Sequence, residues 1–256
     1  MEIGGRTAIV TGAASGIGRA TAMALAANGA RIVVVDIDPI GQRVADEIEN
    51  AGGEASFFVA NVTSTTSLSE MFSYAEATYG GFDILHNNAG VMFPSGFADQ
   101  PIEAWVRMIE VNFLSVVRAT HAAIPLLKRR GGGAILQTAS VAGLLAYSSS
   151  PIYAASKAAV VSFTRSLSAL KTSANIAVNC LCPELVDTPP IQESRLRNRA
   201  AGTSTKDLAF TLIPAEGIAA AAVELIGNET LAGQAMKVSP DRPAELLEFP
   251  DWGLQR

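Results

Sequence analysis

At 256 residues with 49% hydrophobic side chains, the chain can build one large α/β domain or two small ones, around a core that needs no covalent staples. Its 19 basic and 24 acidic residues include no run of Lys or Arg long enough to follow a phosphate backbone, which argues against a nucleic-acid partner. Cys180 and Cys182 lie two apart in an apolar stretch, and His86 and His121 are distant from each other. Neither pair has the spacing of a disulfide framework or a zinc site, so no metal is expected and the cysteines read as buried strand residues.

One apolar residue separates Glu2 from a Gly-Gly-Arg turn, and no later run is long enough to span a bilayer. Neither a signal peptide nor a membrane segment is therefore expected, and the expected compartment is a reducing cytoplasm. Thr7 to Val10, Arg31 to Val35, Ala55 to Val59, Phe82 to Leu85, Ala134 to Gln137 and Ile176 to Leu181 are short and almost wholly apolar. Such strands are covered on both faces, as in a parallel sheet. Ser15 to Asn28, Pro39 to Ala51 and Thr65 to Tyr79 carry apolar residues at helical spacing. The alternation predicts an α/β, single-domain Rossmann fold over 1–256: a doubly wound parallel sheet of about seven strands with helices on both faces. Gly131 to Gly133 mark a sharp turn into the fifth strand, and two segments break the rhythm. The polar stretch 189–214, with Arg195, Arg197 and Arg199, reads as a substrate-loop insertion whose arginines either anchor an anion or stay solvated. The tail 240–256 carries Leu246, Leu247, Phe249 and Trp252, which pack on a neighbouring subunit or close the core.

The first strand runs into T-G-A-A-S-G-I-G and then a helix, which places Gly12, Ser15, Gly16, Ile17 and Gly18 where main chain must approach a pyrophosphate. Asp36 ends the second strand, 18 residues after Gly18, near the spacing at which a carboxylate meets the adenosine ribose. That carboxylate accepts both ribose hydroxyls and repels a 2′-phosphate, and Ala14, Ser15 and Ile37 offer no cation to welcome one. NAD is therefore expected over NADP; the competing reading is that Asp36 only caps the helix beginning near Asp38.

Together with N-N-A-G at Asn87 to Gly90, Asn112, Ser140 and Y-A-A-S-K from Tyr153 to Lys157, this motif resembles the short-chain dehydrogenase/reductase family over nearly the whole chain. Tyr153 and Lys157 lie four apart and share one helix face, and Ser150 and Pro151 suit the N-cap and first positions of that helix. A phenol ordinarily titrates near ~10, so it serves at neutral pH only where a positive charge favours phenolate. The resemblance implies Tyr153 as general acid/base and Lys157 as its cationic partner and ribose ligand. It implies Ser140 as the group that orients the reacting oxygen, and Asn112 as the holder of a water that connects Lys157 to solvent. It further implies cofactor contacts from Ile37, Asn61, Val62, Asn88, Ala89, Gly90, Pro183, Val186 and Thr188. Asn61 stands where the family usually has Asp, and Glu184 where it has Gly after Pro183, which puts the loop path there in question if a positive φ is required. Leu231 to Val238 resembles the hydroxyprostaglandin dehydrogenase branch, although Ser150 replaces the Gln usual three residues before the tyrosine in that branch.

Met92, Phe93, Leu144, Leu145, Tyr147 and Leu185 are the candidate pocket residues, and their mostly apolar character predicts a lipophilic secondary alcohol or ketone as the substrate. The resemblance also implies a homodimer or homotetramer built on the helices of Asn112 and Tyr153, where Ala154, Ala155, Ala158 and Ala159 allow close packing. Rival readings are an NAD-dependent epimerase or dehydratase and a non-catalytic NAD-binding sensor.

Overall fold

Strands with apolar side chains on both faces have no side to turn to water, so they must lie between helical layers. The computed structural model describes residues 1–93, 97–189, 191–192, 196 and 211–250. Its elements in chain order are β1 (Thr7–Thr11), α1 (Gly16–Ala27), β2 (Arg31–Asp36), α2 (Gly41–Asn50), β3 (Glu54–Val59), α3 (Thr65–Tyr79) and β4 (Ile84–Asn87). Then come α4 (Ile102–Ile109), α5 (Ser115–Arg129), β5 (Gly133–Thr138), α6 (Pro151–Ser166), α7 (Leu170–Ala174) and β6 (Ile176–Pro183). The chain closes with α8 (Ala215–Gly227), β7 (Ala235–Val238) and β8 (Glu245–Leu246).

The sheet order is β3-β2-β1-β4-β5-β6-β7-β8. The seven expected strands are parallel, and β8 adds an antiparallel edge by pairing Leu246 with Met236 and Glu245 with Lys237. Winding reverses between β1 and β4, which pair from Ala8–Ile84 to Val10–His86, and their carboxyl ends open the crevice where this fold binds ligands. Strand parity divides the core. Ile32 and Val34 face Leu25, Ile218 and Leu225 on one side, whereas Val33 and Val35 face Met71, Phe72 and Leu127 on the other.

Val116, Val160, Val161, Cys180, Cys182 and Ala235 form a third cluster, and Leu247 and Phe249 pack against it. Those two tail residues therefore close the core of their own chain, with the Arg165 guanidinium 3.7 Å from the Phe249 ring centre. Trp252, Arg195, Arg197 and Arg199 lie outside the described residues. Between α4 and α5 the helix passes through a five-residue π turn, Glu110–Leu114, with Asn112 fully buried inside it.

Candidate active site

The β1–α1 turn is built for close main-chain approach. Gly12 has φ +65, and a Cβ there would sit 2.8 Å from the Ala89 Cα; a Cβ on Gly18 would overlap the Gly12 carbonyl and lie 2.6 Å from Asn88 Nδ2. Gly16 faces Thr188, whose methyl carbon would be 3.0 Å from an added Cβ. Ser15 is the exposed N-cap of α1 and its side chain makes no capping bond, so the first-turn N–H groups, from Gly16, Ile17 and Gly18, keep their anion-binding character. Such a cradle fits a pyrophosphate. Gly18→Ala, which must push the turn off Asn88, is expected to weaken dinucleotide binding about 10- to 100-fold, the equivalent of a 1–3 kcal/mol overpacking penalty, as read by fluorescence titration.

Asp36 lies at the end of β2, and its carboxylate joins two turns: Oδ2 accepts from the Ala14 N–H at 2.9 Å and Oδ1 from the Asp38 N–H at 3.0 Å. It therefore braces the start of the α2 turn and faces the glycine loop as well. Neighbouring Ile37 is 58% exposed and offers no cation. Arg19 turns to Glu47 on α2, with Nε 3.1 Å from Oε2, so its charge is engaged away from Asp36. Asn61 precedes half-buried Val62, and its Oδ1 accepts both the N–H and the hydroxyl of Thr63. That oxygen is thus engaged by a turn into α3, and Nδ2 is the end left to donate.

Ser140 follows β5, and Tyr153 and Lys157 project from one face of α6. Tyr153 lies beside Ser140, whose Oγ accepts from the Ala142 N–H at 3.1 Å and whose hydroxyl faces the Pro183 carbonyl at 3.5 Å. Lys157 Nζ donates to the Thr138 carbonyl at 2.7 Å and lies 5.7 Å from the Tyr153 ring centre. Burial pushes the phenol up to about 12, with the nearby Ser140 hydroxyl pulling the other way. Burial also pulls the lysine down to about 8. Asn112 is committed through its side chain: Oδ1 accepts from the Val91 N–H at 2.8 Å, while Nδ2 donates to the Val91 carbonyl at 2.8 Å and to Ser156 Oγ at 3.2 Å. Gly90 lies beside this cluster, where an added Cβ would be 3.4 Å from Asn112 Oδ1 and 3.5 Å from Lys157 Nζ.

The turn Val141–Gly143 after Ser140 meets α6 through main chain. A Cβ on Gly143 would stand 2.6 Å from both the Lys157 carbonyl carbon and the Ala158 nitrogen, so glycine sets how closely the Ser140 turn approaches the tyrosine helix. Ser150 occupies the N-cap of α6 with Pro151 at the first turn, but it makes no side-chain cap; its buried Oγ has no partner among the described residues. Beyond Pro183, Glu184 takes no positive φ, so the backbone there does not require the family's glycine. Its carboxylate instead accepts from the Ser239 hydroxyl at 2.7 Å and pairs with Lys237 at 3.5 Å, which ties the end of β6 to β7. Val186 is buried and bridges to Ile213, and the Thr188 hydroxyl turns back to the Val186 carbonyl at 3.4 Å. Leu145 is 57% exposed; Leu144 and Phe93 are also exposed, and Met92, Tyr147 and Leu185 are half-buried.

Three supports escaped the sequence reading. The Thr11 hydroxyl accepts from the N–H groups of Asn88 and Ala89 at 3.0 and 3.2 Å, the Thr138 hydroxyl meets Asn88 and His86, and Val91 holds Asn112. The position of Thr138, two residues before Ser140 at a strand end, was the only available signal.

A doubly wound sheet with a glycine cradle at its switch point, and a Ser-Tyr-Lys cluster at the neighbouring strand ends, defines a dinucleotide-dependent oxidoreductase architecture. Residues 6–199 match the short chain dehydrogenase family model, and the chain belongs to that family. It is 37% identical over 194 residues to D-beta-hydroxybutyrate dehydrogenase of Cupriavidus necator, covering 75% of this chain and 74% of that one. It is 35% identical over 190 residues to cyclohexanol dehydrogenase of an Acinetobacter species, covering 73% and 76%. A crystal structure of an actinorhodin polyketide ketoreductase variant with NADPH superposes with a TM-score of 0.86 at 29% identity, over 92% of this chain and 96% of that one. The chain is accordingly an oxidoreductase of the class that acts on secondary alcohols and ketones. No helix among the described residues is long and apolar enough to cross a membrane.

Proposed function

We propose that this enzyme is an NAD-dependent dehydrogenase for a lipophilic secondary alcohol, or for the corresponding ketone in reverse. The observation that carries the reading is the meeting of Ser140, Tyr153 and Lys157 beside the glycine cradle. Bound NAD supplies the hydride acceptor. Tyr153 takes the alcohol proton during oxidation and returns it during reduction, while Ser140 orients the substrate oxygen. Lys157 holds the nicotinamide ribose and favours phenolate when that charge is needed. The Asn112 side chain is engaged by Val91 and Ser156, and Asn112 would hold the proton-relay water from its place in the π turn. Gly12, Ser15, Gly16, Ile17 and Gly18 would hold the pyrophosphate. Asp36 and Ile37 would line the ribose, Asn61 and Val62 the adenine, and Asn88 to Gly90, Pro183, Val186 and Thr188 the nicotinamide half.

NAD is favoured over NADP because the Asp36 carboxylate would meet a 2′-phosphate with like charge while Arg19 is paired with Glu47. Met92, Leu144, Tyr147 and Leu185 give the entrance an apolar lining suited to an alicyclic alcohol, a class that includes the cyclohexanol of the Acinetobacter relative's name. The reading includes assembly as a homodimer or homotetramer through α4 to α6, where Ile102 and Val106 stand 63% and 55% exposed. NADH formation with cyclohexanol and 3-hydroxybutyrate, each with NAD and NADP, tests the proposal. Cyclohexanol with NAD is expected to be the best combination, and Asp36→Ala is expected to narrow the NAD preference by about tenfold or more, the worth of one charge-assisted contact. Absence of reduced cofactor with every pair would remove the dehydrogenase assignment.

A further inference from the structure

Thr138 ends β5 with its two polar groups facing different halves of the site. Its carbonyl accepts the Lys157 ammonium at 2.7 Å, and its hydroxyl lies 3.1 Å from Asn88 Oδ1 and 2.9 Å from His86 Nε2. The direction of each bond follows from what the partners are able to do. Asn88 Nδ2 sits 3.0 Å from the Thr11 carbonyl and 3.2 Å from the Gly12 carbonyl; carbonyls only accept, so the amide nitrogen must face them and Oδ1 must face Thr138. Asn88 Oδ1 then needs a donor, and the one proton of the Thr138 hydroxyl is committed to it. The same hydroxyl oxygen must accept from His86, which places the ring proton on Nε2.

The remainder of His86 agrees with that assignment. The ring is completely buried, Nδ1 has no partner among the described residues, and burial holds the group neutral. A bare nitrogen lone pair is less costly in that place than an unpaired N–H donor. The main-chain carbonyl of His86 accepts in turn from the Thr11 hydroxyl at 3.3 Å, so the chain of bonds returns to the glycine loop.

We infer that Thr138, with its hydroxyl oriented by the Nε2–H tautomer of His86, is a positioning residue that locks Asn88 against the Gly12 carbonyl and so shapes the dinucleotide cradle, while its carbonyl separately anchors Lys157. The inference rests on the proposed dinucleotide-dependent function for its consequence, but not for its geometry.

Two measurements test it on the full chain. Nitrogen-15 NMR of histidine-labelled protein is simple to assign, because His86 and His121 are the only histidines and His86→Gln identifies one of them. The expected signature for His86 is a protonated Nε2 and a bare Nδ1 near neutral pH; a protonated Nδ1 would reverse the chain and overturn the inference. Thr138→Val keeps the shape and the carbonyl but leaves Asn88 Oδ1 and His86 Nε2–H unpaired. It is expected to weaken NADH binding about 10- to 100-fold in fluorescence titration, with Thr138→Ser restoring binding to within about threefold. Unchanged NADH affinity in Thr138→Val overturns the inference, as does equal loss in Thr138→Ser. A parent protein that binds neither NADH nor NADPH would refute the proposed function instead, and the tautomer result would still decide the geometry.

Discussion

Tyr153→Phe is expected to lower kcat for alcohol oxidation by about two to four orders of magnitude while leaving NADH affinity within a few-fold of the parent. The substitution removes one oxygen from a helix whose position is otherwise fixed, and with it the group beside Ser140 that the proposed function assigns to take the alcohol proton. The sign of the pH dependence follows from burial, which pushes the phenol up to about 12. Oxidation uses the phenolate, so its rate should climb by up to about tenfold per pH unit below the operating pKa; reduction uses the phenol and should stay level over the same range. Lys157→Met, which removes the nearby cation, should displace the oxidative limb to still higher pH. Steady-state rates in both directions between neutral and alkaline pH read all three effects. A Tyr153→Phe enzyme with parental kcat would transfer the proton role elsewhere.

The parent fold should also lose stability steeply in acid, because of His86. Burial lowers its folded-state pKa to about 3, whereas an unfolded histidine titrates near ~6.5. The unfolded chain therefore binds a proton that the folded chain refuses, and the histidine's contribution is complete above ~6.5 and lost progressively as pH falls toward about 3. The slope attributable to this one group is up to about 1.4 kcal/mol per pH unit. His86→Leu should be less stable than the parent at neutral pH, through loss of the bond to Thr138, and should approach or overtake it by pH 4. Urea midpoints at successive pH values measure the convergence. Parallel curves would mean that the folded chain accommodates the imidazolium.

The parts legible in the sequence are those with a one-dimensional signature. Strands buried on both faces announce themselves as apolar runs, and α1, α2 and α3 fall within a residue or two of the expected spans because their apolar spacing is regular. The glycine loop and Asp36 stand at offsets from strand ends that the sequence displays, whereas the roles given to Ser140, Tyr153 and Lys157 come from the family resemblance. The two-residue β8 has no periodicity to detect, and its pairing depends on β7 being already in place. A π turn differs from an α-helix by where hydrogen bonds close, not by composition, so Glu110–Leu114 left no mark on the pattern. The His86–Thr138–Asn88 connections join residues that only the sheet brings together; in the sequence a strand histidine is simply a polar interruption. Glu184 is the reverse case: its departure from the family was visible, but its engagement by Ser239 and Lys237 required β7 to be set beside β6.

The main-chain seam at Gly143 bears on how freely this enzyme can be re-tailored. Because the approach of the serine turn to the tyrosine helix is limited by backbone against backbone, it does not depend on the identity of the side chains that follow. Leu144 and Leu145 stand at the exposed end of that turn, and on the proposed function they rim the substrate entrance. Combinatorial libraries that vary those two leucines and spare the glycine should change which alcohols enter while inheriting the proton-transfer geometry intact.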